Sequence, residues 1–254
     1  LAGQCYLNEY VYSTLQDEKV MVAGLVNKAS ENQEATNKFL AIVACYEAIH
    51  LTGIKPEFIK NYPTPDYYSK ELIRSQFNEP QEENEIKNFL QEKCIIFDEI
   101  SQRVQEMYEV NPYPRFKYSD FTASNYAKPI SNAIELETTR KNLSFPVALS
   151  SPGASPKILI AGCGTGNQVI IANRYQNAEI TAIDLSSSSL AYAIRKTNEY
   201  EMNNTTFIKM DLLNISVLGD LFDIIECSGV LHHMEQPSDG LSALIQQLSP
   251  GGYI

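Results

Sequence analysis

The spacing of apolar residues divides the chain into two parts that differ in periodicity. In residues 1–149, segments such as KVMVAGLVNKA (residues 19–29) and NKFLAIVACYEAIHL (residues 37–51) place apolar side chains at three- and four-residue intervals. This is the period of a helix with one buried face. The same period recurs over residues 82–109. The acidic segment PQEENE lies at the start of this pattern, where negative side chains suit the positive N-terminal end of a helix. We therefore expect a mainly α-helical N-terminal region with a third long helix at residues 82–109.

Proline-rich segments separate these helical patterns. NYPTPDYY (residues 61–68) and NPYPRF (residues 111–116) should be extended, because each proline also biases the residue before it away from the helical region. SSPGASP (residues 150–156) has the composition of a domain linker. The pattern thus predicts one domain at residues 1–149 and a second at residues 150–254.

From Lys157 onward, short β-rich runs alternate with helical patterns. The predicted strands are ILIA, ITAI, TTFIKMD, FDIIECSGV and finally GGYI. Strands that alternate with helices are joined by right-handed crossovers and form a parallel sheet. The predicted fold class is therefore α/β, with a doubly wound, mostly parallel sheet.

Composition and charge narrow the functional classes. The net charge of −11 argues against nucleic acid as a partner, because backbone binding needs clustered Lys and Arg. No apolar run approaches the roughly 20 residues of a membrane helix, and the start LAGQCYLNEY lacks the features of a secretory signal. The five cysteines are far apart with no CxxC spacing, which indicates reduced thiols in a cytoplasmic protein and no metal site.

Both ends of the sequence are typical of a piece of a longer protein. The chain begins at Leu1 rather than methionine, and it stops at GGYI, where a new strand has just been predicted. We therefore expect the sheet domain to be incomplete at its C-terminus.

A glycine-rich bend, AGCGTGN, follows the first predicted strand. Its glycines are Gly162, Gly164 and Gly166. Glycine permits unusual backbone torsions and close approach of a ligand, and the following helix presents free N–H groups, although a purely structural turn has the same pattern. A dinucleotide-binding loop would have glycine at position 167, which is Asn167 here. The bend therefore disfavours NAD or FAD.

Two carboxylates end the next two predicted strands. Asp184 closes ITAID, where it can accept hydrogen bonds from both ribose hydroxyls of an adenosine ligand or cap the following helix. Ser186 or Ser187 is a further candidate for that cap. Asp211 closes FIKMD, where it can accept a hydrogen bond from an adenine amino group or form a turn.

Five separated motifs carry a resemblance to a known family. GCGTG, AIDLS, MDLLN, FDIIECSGVLHHM and LSPGGYI have the order and spacing found in class I S-adenosylmethionine (SAM)-dependent methyltransferases, which residues 157–254 resemble. The resemblance implies a Rossmann-like core, SAM as cofactor, and methyl transfer to an oxygen or nitrogen nucleophile of an unidentified acceptor, a protein or a small molecule.

The resemblance also implies a set of cofactor-binding residues. The bend would wrap the amino-acid end of SAM, Asp184 would hold the ribose with Leu185 and Ser186 beside it, and Asp211 and Leu212 would flank the adenine. Three residues after the fourth strand would line the cleft under the methyl donor. The bend and these three residues are Gly162, Cys163, Gly164, Thr165 and Gly166, and Cys227, Ser228 and Val230.

Two departures from the family pattern stand out. The family often has an acidic residue two places before the first motif glycine, and that position is Ile160 here. Contacts of that carboxylate must be absent or supplied elsewhere. The family also carries further strands after GGYI, which this sequence lacks.

Two looser similarities concern the rest of the chain. QCYLNEYVY, NPYPRF and AGCGTGNQVI together resemble bacterial proteins in which a helical region, often preceded by tetratricopeptide repeats, leads into a methyltransferase domain. A weaker similarity to bacterial protein-lysine methyltransferases suggests a polypeptide acceptor.

His232 and His233 follow the fourth strand, at the edge where open α/β sheets bind their ligands. One of them can act as general base or orient a substrate, or the pair can be a structural turn; we expect at most one to face the cleft. The segment EVNPYPRFKY (residues 109–118) predicts a stiff strap. It can bring Tyr113 or Arg115 to the cleft mouth, or pin the helical region to the sheet.

Three alternatives to a methyltransferase that acts on a protein or a small molecule remain at this level. A catalytically inactive binding or scaffold module would keep the fold, and Ile160 favours it. An oxidoreductase would bind NADH, but the glycine that a dinucleotide-binding loop needs at position 167 is Asn167 here. A nucleic-acid methyltransferase is disfavoured by the charge and by CSGV after strand four, where neither an NPPY-like nor a Pro-Cys motif occurs.

Overall fold

A computed structural model of the chain describes residues 1–90, 99–119, 126–135, 146, 149, 151 and 153–254. The chain forms two compact units, Leu1–Glu85 and Ile86–Ile254. This division lies upstream of the boundary expected between residues 149 and 150, around which most residues lie outside the described part. The two-domain assignment at 149/150 stays a prediction.

The first unit is helical, as its apolar period predicts. Asn32 separates two of its helices and caps the second, since its side-chain oxygen accepts hydrogen bonds from the N–H groups of Glu34 and Ala35. The helices are α1 (Ala2–Leu7), α2 (Gln16–Glu31), α3 (Gln33–Val43), α4 (Pro56–Lys60), α5 (Tyr67–Ile73) and α6 (Glu79–Lys87), the last of which extends past Glu85.

Helix α3 is shorter than its sequence pattern predicts. It ends at Val43, and Ile49 reaches the core from a separate 3-10 helix, Ile49–Leu51. Leu40, Ile49 and Ile59 are all fully or almost fully buried in one core. The apolar period identified the buried positions correctly, but a period does not show where a helix ends.

The prediction of one long helix over residues 82–109 is wrong in its extent. Helix α6 ends at Lys87, and a turn follows at Asn88 and Phe89. Asn favours turns, and the Phe89 side chain, counted toward a buried face, is 85% exposed. Residues 91–98 lie outside the described part, and a second helix, α7, spans Glu99–Val110.

The second unit contains the predicted parallel sheet. Its strands are β1 (Lys157–Ala161), β2 (Glu179–Asp184), β3 (Thr205–Lys209), β4 (Phe222–Glu226) and β5 (Leu248–Tyr253). They are parallel, in the order β3-β2-β1-β4-β5. Strand β5 begins before the predicted GGYI, and its pairing with β4 contains a register shift of the kind that a bulge produces. The α/β fold class is confirmed.

Helices cover both faces of this sheet, as the term doubly wound requires. Alternate residues of β1 point to opposite sides, so Ile158 and Ile160 lie in one core cluster and Leu159 in the other. The first cluster includes residues of α8 (Ile130–Ala133), α9 (Asn167–Ala172) and α10 (Ser187–Glu199). The second includes residues of a 3-10 helix (Leu212–Leu218) and of α11 (Pro237–Ile245).

Candidate functional site

A cavity of about 780 Å³ opens at the carboxyl edge of the sheet. It lies where β1 is flanked by β2 on one side and β4 on the other, the point at which strand order reverses and open α/β sheets bind ligands. Most of the predicted cofactor residues line it: Gly162, Cys163, Gly164, Thr165, Asp184, Leu185, Ser186, Asp211, Leu212, Ser228 and Val230. Gly166 and Cys227 are absent from the wall; Gly166 is buried and Cys227 packs against the second core cluster.

The three glycines of the bend all have positive φ, but for different reasons. A Cβ on Gly162 would lie 2.2 Å from Cγ2 of Val230, and a Cβ on Gly166 would lie 2.6 Å from Cβ of Ala193. Packing therefore requires glycine at these two positions. A Cβ on Gly164 would meet only the carbonyl oxygen of Tyr113, at 3.8 Å. The Gly164 backbone is therefore open to a ligand in the cavity.

Asp184 fixes the glycine bend from the neighbouring strand. Its Oδ2 accepts a hydrogen bond from the N–H of Gly164 at 2.8 Å, and its Oδ1 accepts one from the N–H of Ser186 at 2.9 Å. Burial raises the pKa of Asp184, although these amide bonds oppose the rise. Each carboxylate oxygen can accept a second hydrogen bond, so a ligand hydroxyl can still bind there.

Asp211 and Ser186 both cap helices. Asp211 is 4% exposed, and its Oδ1 accepts a hydrogen bond from the N–H of Leu213 at 2.9 Å, which caps the 3-10 helix Leu212–Leu218. Ser186, rather than Ser187, caps α10 through the N–H of Ser189 at 3.1 Å. The ribose role of Asp184 and the adenine role of Asp211 stay predictions.

The two histidines lie side by side on the cavity wall. They belong to a 3-10 helix, Leu231–His233, and their ring centroids are 4.0 Å apart. The expectation that at most one faces the cleft is wrong, because successive side chains in a 3-10 helix are only about 120° apart. Tyr108 Oη lies 3.5 Å from Nε2 of His233. Burial lowers the pKa of His233, and the nearby His232 lowers it further.

The predicted strap, residues 109–118, begins later than expected, because Glu109 and Val110 belong to helix α7. The strap as observed, residues 112–119, runs along helix α10. Tyr192 Oη donates to the carbonyl of Phe116 at 2.6 Å and accepts from its N–H at 3.0 Å. Lys196 Nζ donates to the carbonyl of Lys117 at 2.9 Å. At the other end of the strap, Thr165 Oγ1 donates to the carbonyl of Pro114 at 2.6 Å. The strap is therefore pinned to the sheet domain.

The strap also contributes to the cavity wall. Tyr113 and Pro114 line the cavity, whereas the Arg115 guanidinium lies over the Tyr192 ring, 5.6 Å from its centroid. Of the two strap residues expected at the cleft mouth, the structure places Tyr113 there. The segment therefore lines the cavity and is held against the sheet domain, whereas its role in pinning the helical region to the sheet stays a prediction.

Further residues around the cavity were not predicted from the sequence. Helix α7 contributes Tyr108 to the wall, and the Oε2 of Glu109 accepts hydrogen bonds from Ser186 Oγ at 3.1 Å and the N–H of Ser188 at 3.2 Å. Glu226, at the end of β4, also lines the cavity. The signal for Glu226 was present, since it is a charged residue that ends the apolar run FDIIE.

The described residues contain neither a metal-binding cluster nor a membrane-spanning helix. In those residues no group of three or more His, Cys, Asp and Glu side chains is arranged to hold a metal ion. Within the same part of the chain, no helix is long and apolar enough to span a membrane.

Comparison with known proteins gives matches to parts of the chain. Residues 158–252 match the model of a family described as "Methyltransferase domain". An uncharacterized protein of Synechococcus sp. is 33% identical over 163 residues, which are 62% of this chain and 36% of that protein. A ubiquinone biosynthesis O-methyltransferase of Albidiferax ferrireducens is 30% identical over 107 residues, 41% of each chain.

One similar solved structure is that of PKMT2 from Rickettsia typhi in complex with AdoHcy. It is 24% identical, with a TM-score of 0.42, over 54% of this chain and 25% of that one. The matched stretches span less than half of the length of each of these three proteins.

Proposed function

We propose that the protein, whose residues 158–252 form a class I SAM-dependent methyltransferase domain, transfers the methyl group of SAM to an oxygen or nitrogen nucleophile of an acceptor. The domain match confirms the family and the cofactor predicted from the five motifs. The acceptor, the atom methylated and the roles of single residues belong to the proposal.

The observation that carries the proposal is the convergence of four strand ends on one cavity. The cavity is lined by the glycine bend after β1, by Asp184 at the end of β2, by Asp211 after β3 and by Ser228 after β4. Strand ends are rigid, so groups held on them keep a fixed geometry around a bound cofactor.

The residues present fit the cofactor. SAM supplies a methyl group already activated by a sulfonium, so alignment of the acceptor is the main task left to the protein. The open backbone at Gly164 can contact the cofactor, and the second lone pairs of Asp184 can accept the ribose hydroxyls. Asp211 is proposed to accept from the adenine amino group, with Leu212 against the ring.

His233 is proposed to receive a proton from the acceptor. Its lowered pKa keeps the imidazole neutral at pH 7, so a ring nitrogen can accept a proton. His232 lines the same wall and is proposed to orient the acceptor. A nucleophile that is already neutral and basic would need neither histidine.

We infer a small-molecule acceptor. A ubiquinone biosynthesis O-methyltransferase is 30% identical over 107 residues. The cavity of about 780 Å³, part of which SAM must fill, is also within the range of about 300–1,000 Å³ typical of small-molecule sites. The strap and helix α7 form part of its wall, through Tyr113, Pro114 and Tyr108. A polypeptide acceptor, suggested by the weaker similarity, is the competing outcome.

The proposal is tested by calorimetric titration of the chain with SAM and, separately, with NADH. We expect SAM alone to bind, and Asp184→Asn to weaken SAM about tenfold or more, because one charged acceptor is lost at the ribose and at the bend. The matched control is Asp220→Asn, which removes an exposed carboxylate paired with Lys157 at the amino end of the sheet.

The stability of Asp184→Asn separates binding from folding. Burial raises the pKa of Asp184, so keeping its carboxylate charged lowers the stability of the folded state. The Asn side chain removes this cost, but it also loses one of the hydrogen bonds that the carboxylate accepts. We expect the melting temperature to change by no more than about 4 °C, the effect of roughly 1 kcal/mol.

Other outcomes identify the alternatives. Preferential NADH binding contradicts a methyltransferase. Binding of SAM without transfer of a labelled methyl to small-molecule or protein fractions of a cell extract favours the inactive scaffold module. Transfer to the protein fraction alone contradicts the small-molecule acceptor.

A further inference from the structure

A polar cluster lies at the β4 end of the cavity. The Glu226 carboxylate accepts three hydrogen bonds from one side of the sheet: its Oε1 from Tyr175 Oη at 2.7 Å and Arg174 Nη2 at 3.1 Å, and its Oε2 from Gln168 Nε2 at 2.9 Å. Gln168, Arg174 and Glu226 line the cavity. The Glu226 and Arg174 side chains are 14% and 34% exposed, so both can meet a ligand.

The cluster retains unused hydrogen-bonding capacity of both kinds. A carboxylate can accept about four hydrogen bonds, and Glu226 accepts three from the protein. Arg174 donates through Nη2 to Glu226 and Tyr175, while its buried Nε has no partner. Buried donors without a partner are uncommon in folded proteins and call for an explanation. A ligand in the cavity reaches the exposed part of the Arg174 side chain rather than the buried Nε, and that part can donate to an anionic group.

The position of the cluster continues the line of predicted cofactor contacts. Along the sheet order, Asp211 follows β3, Asp184 ends β2, the glycine bend follows β1 and Glu226 ends β4. Neighbouring strands are about 4.8 Å apart, so these groups span roughly 14 Å. A ligand with its adenine at β3 and its ribose at β2 therefore has its far end at β1 and β4.

Glu226 also lies next to the position where the family pattern has an acid. Ile160 occupies that position, is fully buried, and is paired in register with Glu226 on the adjacent strand. Residues paired in register on parallel strands point to the same face of the sheet. The Glu226 carboxylate therefore lies one strand away from the acidic position of the family pattern, on the same face of the sheet.

We propose that Glu226 and Arg174 bind the amino-acid end of SAM, Glu226 accepting from its ammonium group and Arg174 donating to its carboxylate. This inference rests on the proposed function. The two side chains form a pair with no net charge, one acceptor and several donors, which is the complement of an α-amino-acid zwitterion. Gln168 and Tyr175 hold the Glu226 carboxylate in place. The competing explanation is that the cluster only fastens helix α9 to strand β4.

The test compares two ligands that differ only at the amino-acid end. S-adenosylhomocysteine carries the ammonium and carboxylate, whereas 5′-methylthioadenosine has the same nucleoside and thioether without them. Affinities are measured by titration calorimetry for the chain and for Glu226→Gln, which keeps the side-chain shape and removes the charge. The matched control is Glu179→Gln, an exposed carboxylate at the amino end of β2.

The proposal predicts a selective effect. Glu226→Gln should weaken S-adenosylhomocysteine at least tenfold and leave 5′-methylthioadenosine within twofold, because only the first ligand has a charged group for Glu226. Glu179→Gln should change neither affinity. The ratio of the two affinities is insensitive to partial unfolding, which would lower both equally.

A second variant covers the case in which Glu226→Gln does not fold. Glu226→Asp keeps the charge and withdraws it by one methylene, and should also weaken S-adenosylhomocysteine selectively. Equal loss for both ligands, or no loss, overturns the proposal. Equal affinity of the unmodified chain for the two ligands overturns it while leaving the proposed function intact, whereas binding of neither ligand overturns both.

Discussion

At the scale of single residues, the chemistry of the cavity depends on groups whose properties are set by their neighbours. His233 is an ordinary histidine in the sequence, but burial and the adjacent His232 lower its pKa. Its imidazole is 3.5 Å from the Tyr108 hydroxyl of helix α7, which comes from a distant part of the chain. A neutral histidine at this position can accept a proton, which is the property that the proposed reaction requires.

We predict that His233 titrates below about 6.5, the ordinary histidine value. The His232→Ala variant should move the pKa of His233 upward, because the neighbouring positive charge is removed while the burial remains. The measurement is an NMR titration of the ring protons of the chain's three histidines, assigned with His233→Gln. A pKa at or above 6.5 for His233 would remove the basis for its role as a base.

The lowered pKa of His233 also makes the stability of the folded state depend on pH in a defined direction. A histidine with a lowered pKa in the folded state is protonated more readily in the unfolded chain. Its contribution to stability is therefore present above about pH 6.5 and is lost as the pH falls through the folded-state pKa.

At the scale of elements, the strap and helix α10 form one wall of the site. Four hydrogen bonds attach the strap at successive points along the helix. Tyr192 Oη forms two with the backbone of Phe116, Lys196 donates one to Lys117, and the N–H of Ser119 donates one to Tyr200. Proline also limits the backbone torsions of the strap. An extended segment without regular partners is thus held at the cavity by side chains of a neighbouring helix.

We predict that Tyr192→Phe loosens the strap. The substitution removes one acceptor and one donor, leaving the N–H and carbonyl of Phe116 unpaired, at a cost of about 1–2 kcal/mol. Hydrogen exchange of the amides in residues 113–119 should accelerate. Tyr118→Phe, at a strap ring that is 71% exposed, is the matched control. Unchanged exchange in Tyr192→Phe would show that other contacts hold the strap.

At the scale of the whole molecule, the cavity belongs to the unit Ile86–Ile254, whose sheet is covered on both faces. Exchange of the central β1 amides requires that the sheet opens, so these amides report the stability of this unit. The other unit, Leu1–Glu85, has its own core around Leu40 and Ile49. The net charge of −11 continues to argue against nucleic acid as the acceptor.

We predict that S-adenosylhomocysteine at 100 times its dissociation constant slows exchange of the β1 amides about 100-fold. Binding to the folded state alone stabilises it by about 2.7 kcal/mol at this concentration. The measurement is native-state hydrogen exchange with and without the ligand, with NADH at equal concentration as the control. Slowing by NADH, or none by S-adenosylhomocysteine, would contradict the assigned cofactor.

The sequence by itself determined the class of fold and the strand ends of the site. Alternation of β-rich runs and helical patterns is a local property, and it predicted the five parallel strands. Gly162 and Gly164 follow β1, Asp184 ends β2 and Asp211 comes shortly after β3, so their place at the carboxyl edge could be predicted. The break after Lys87 could not, because apolar spacing continues through the exposed Phe89.

The tertiary structure decided which residues from distant segments meet these strand ends. Tyr108, the strap and the cluster around Glu226 reach the cavity through packing between elements far apart in sequence. No local pattern specifies such contacts, since they depend on how helices α7, α9 and α10 lie against the sheet. For the same reason, only the pairing of β1 with β4 places Glu226 beside Ile160, the position at which the family pattern has an acid.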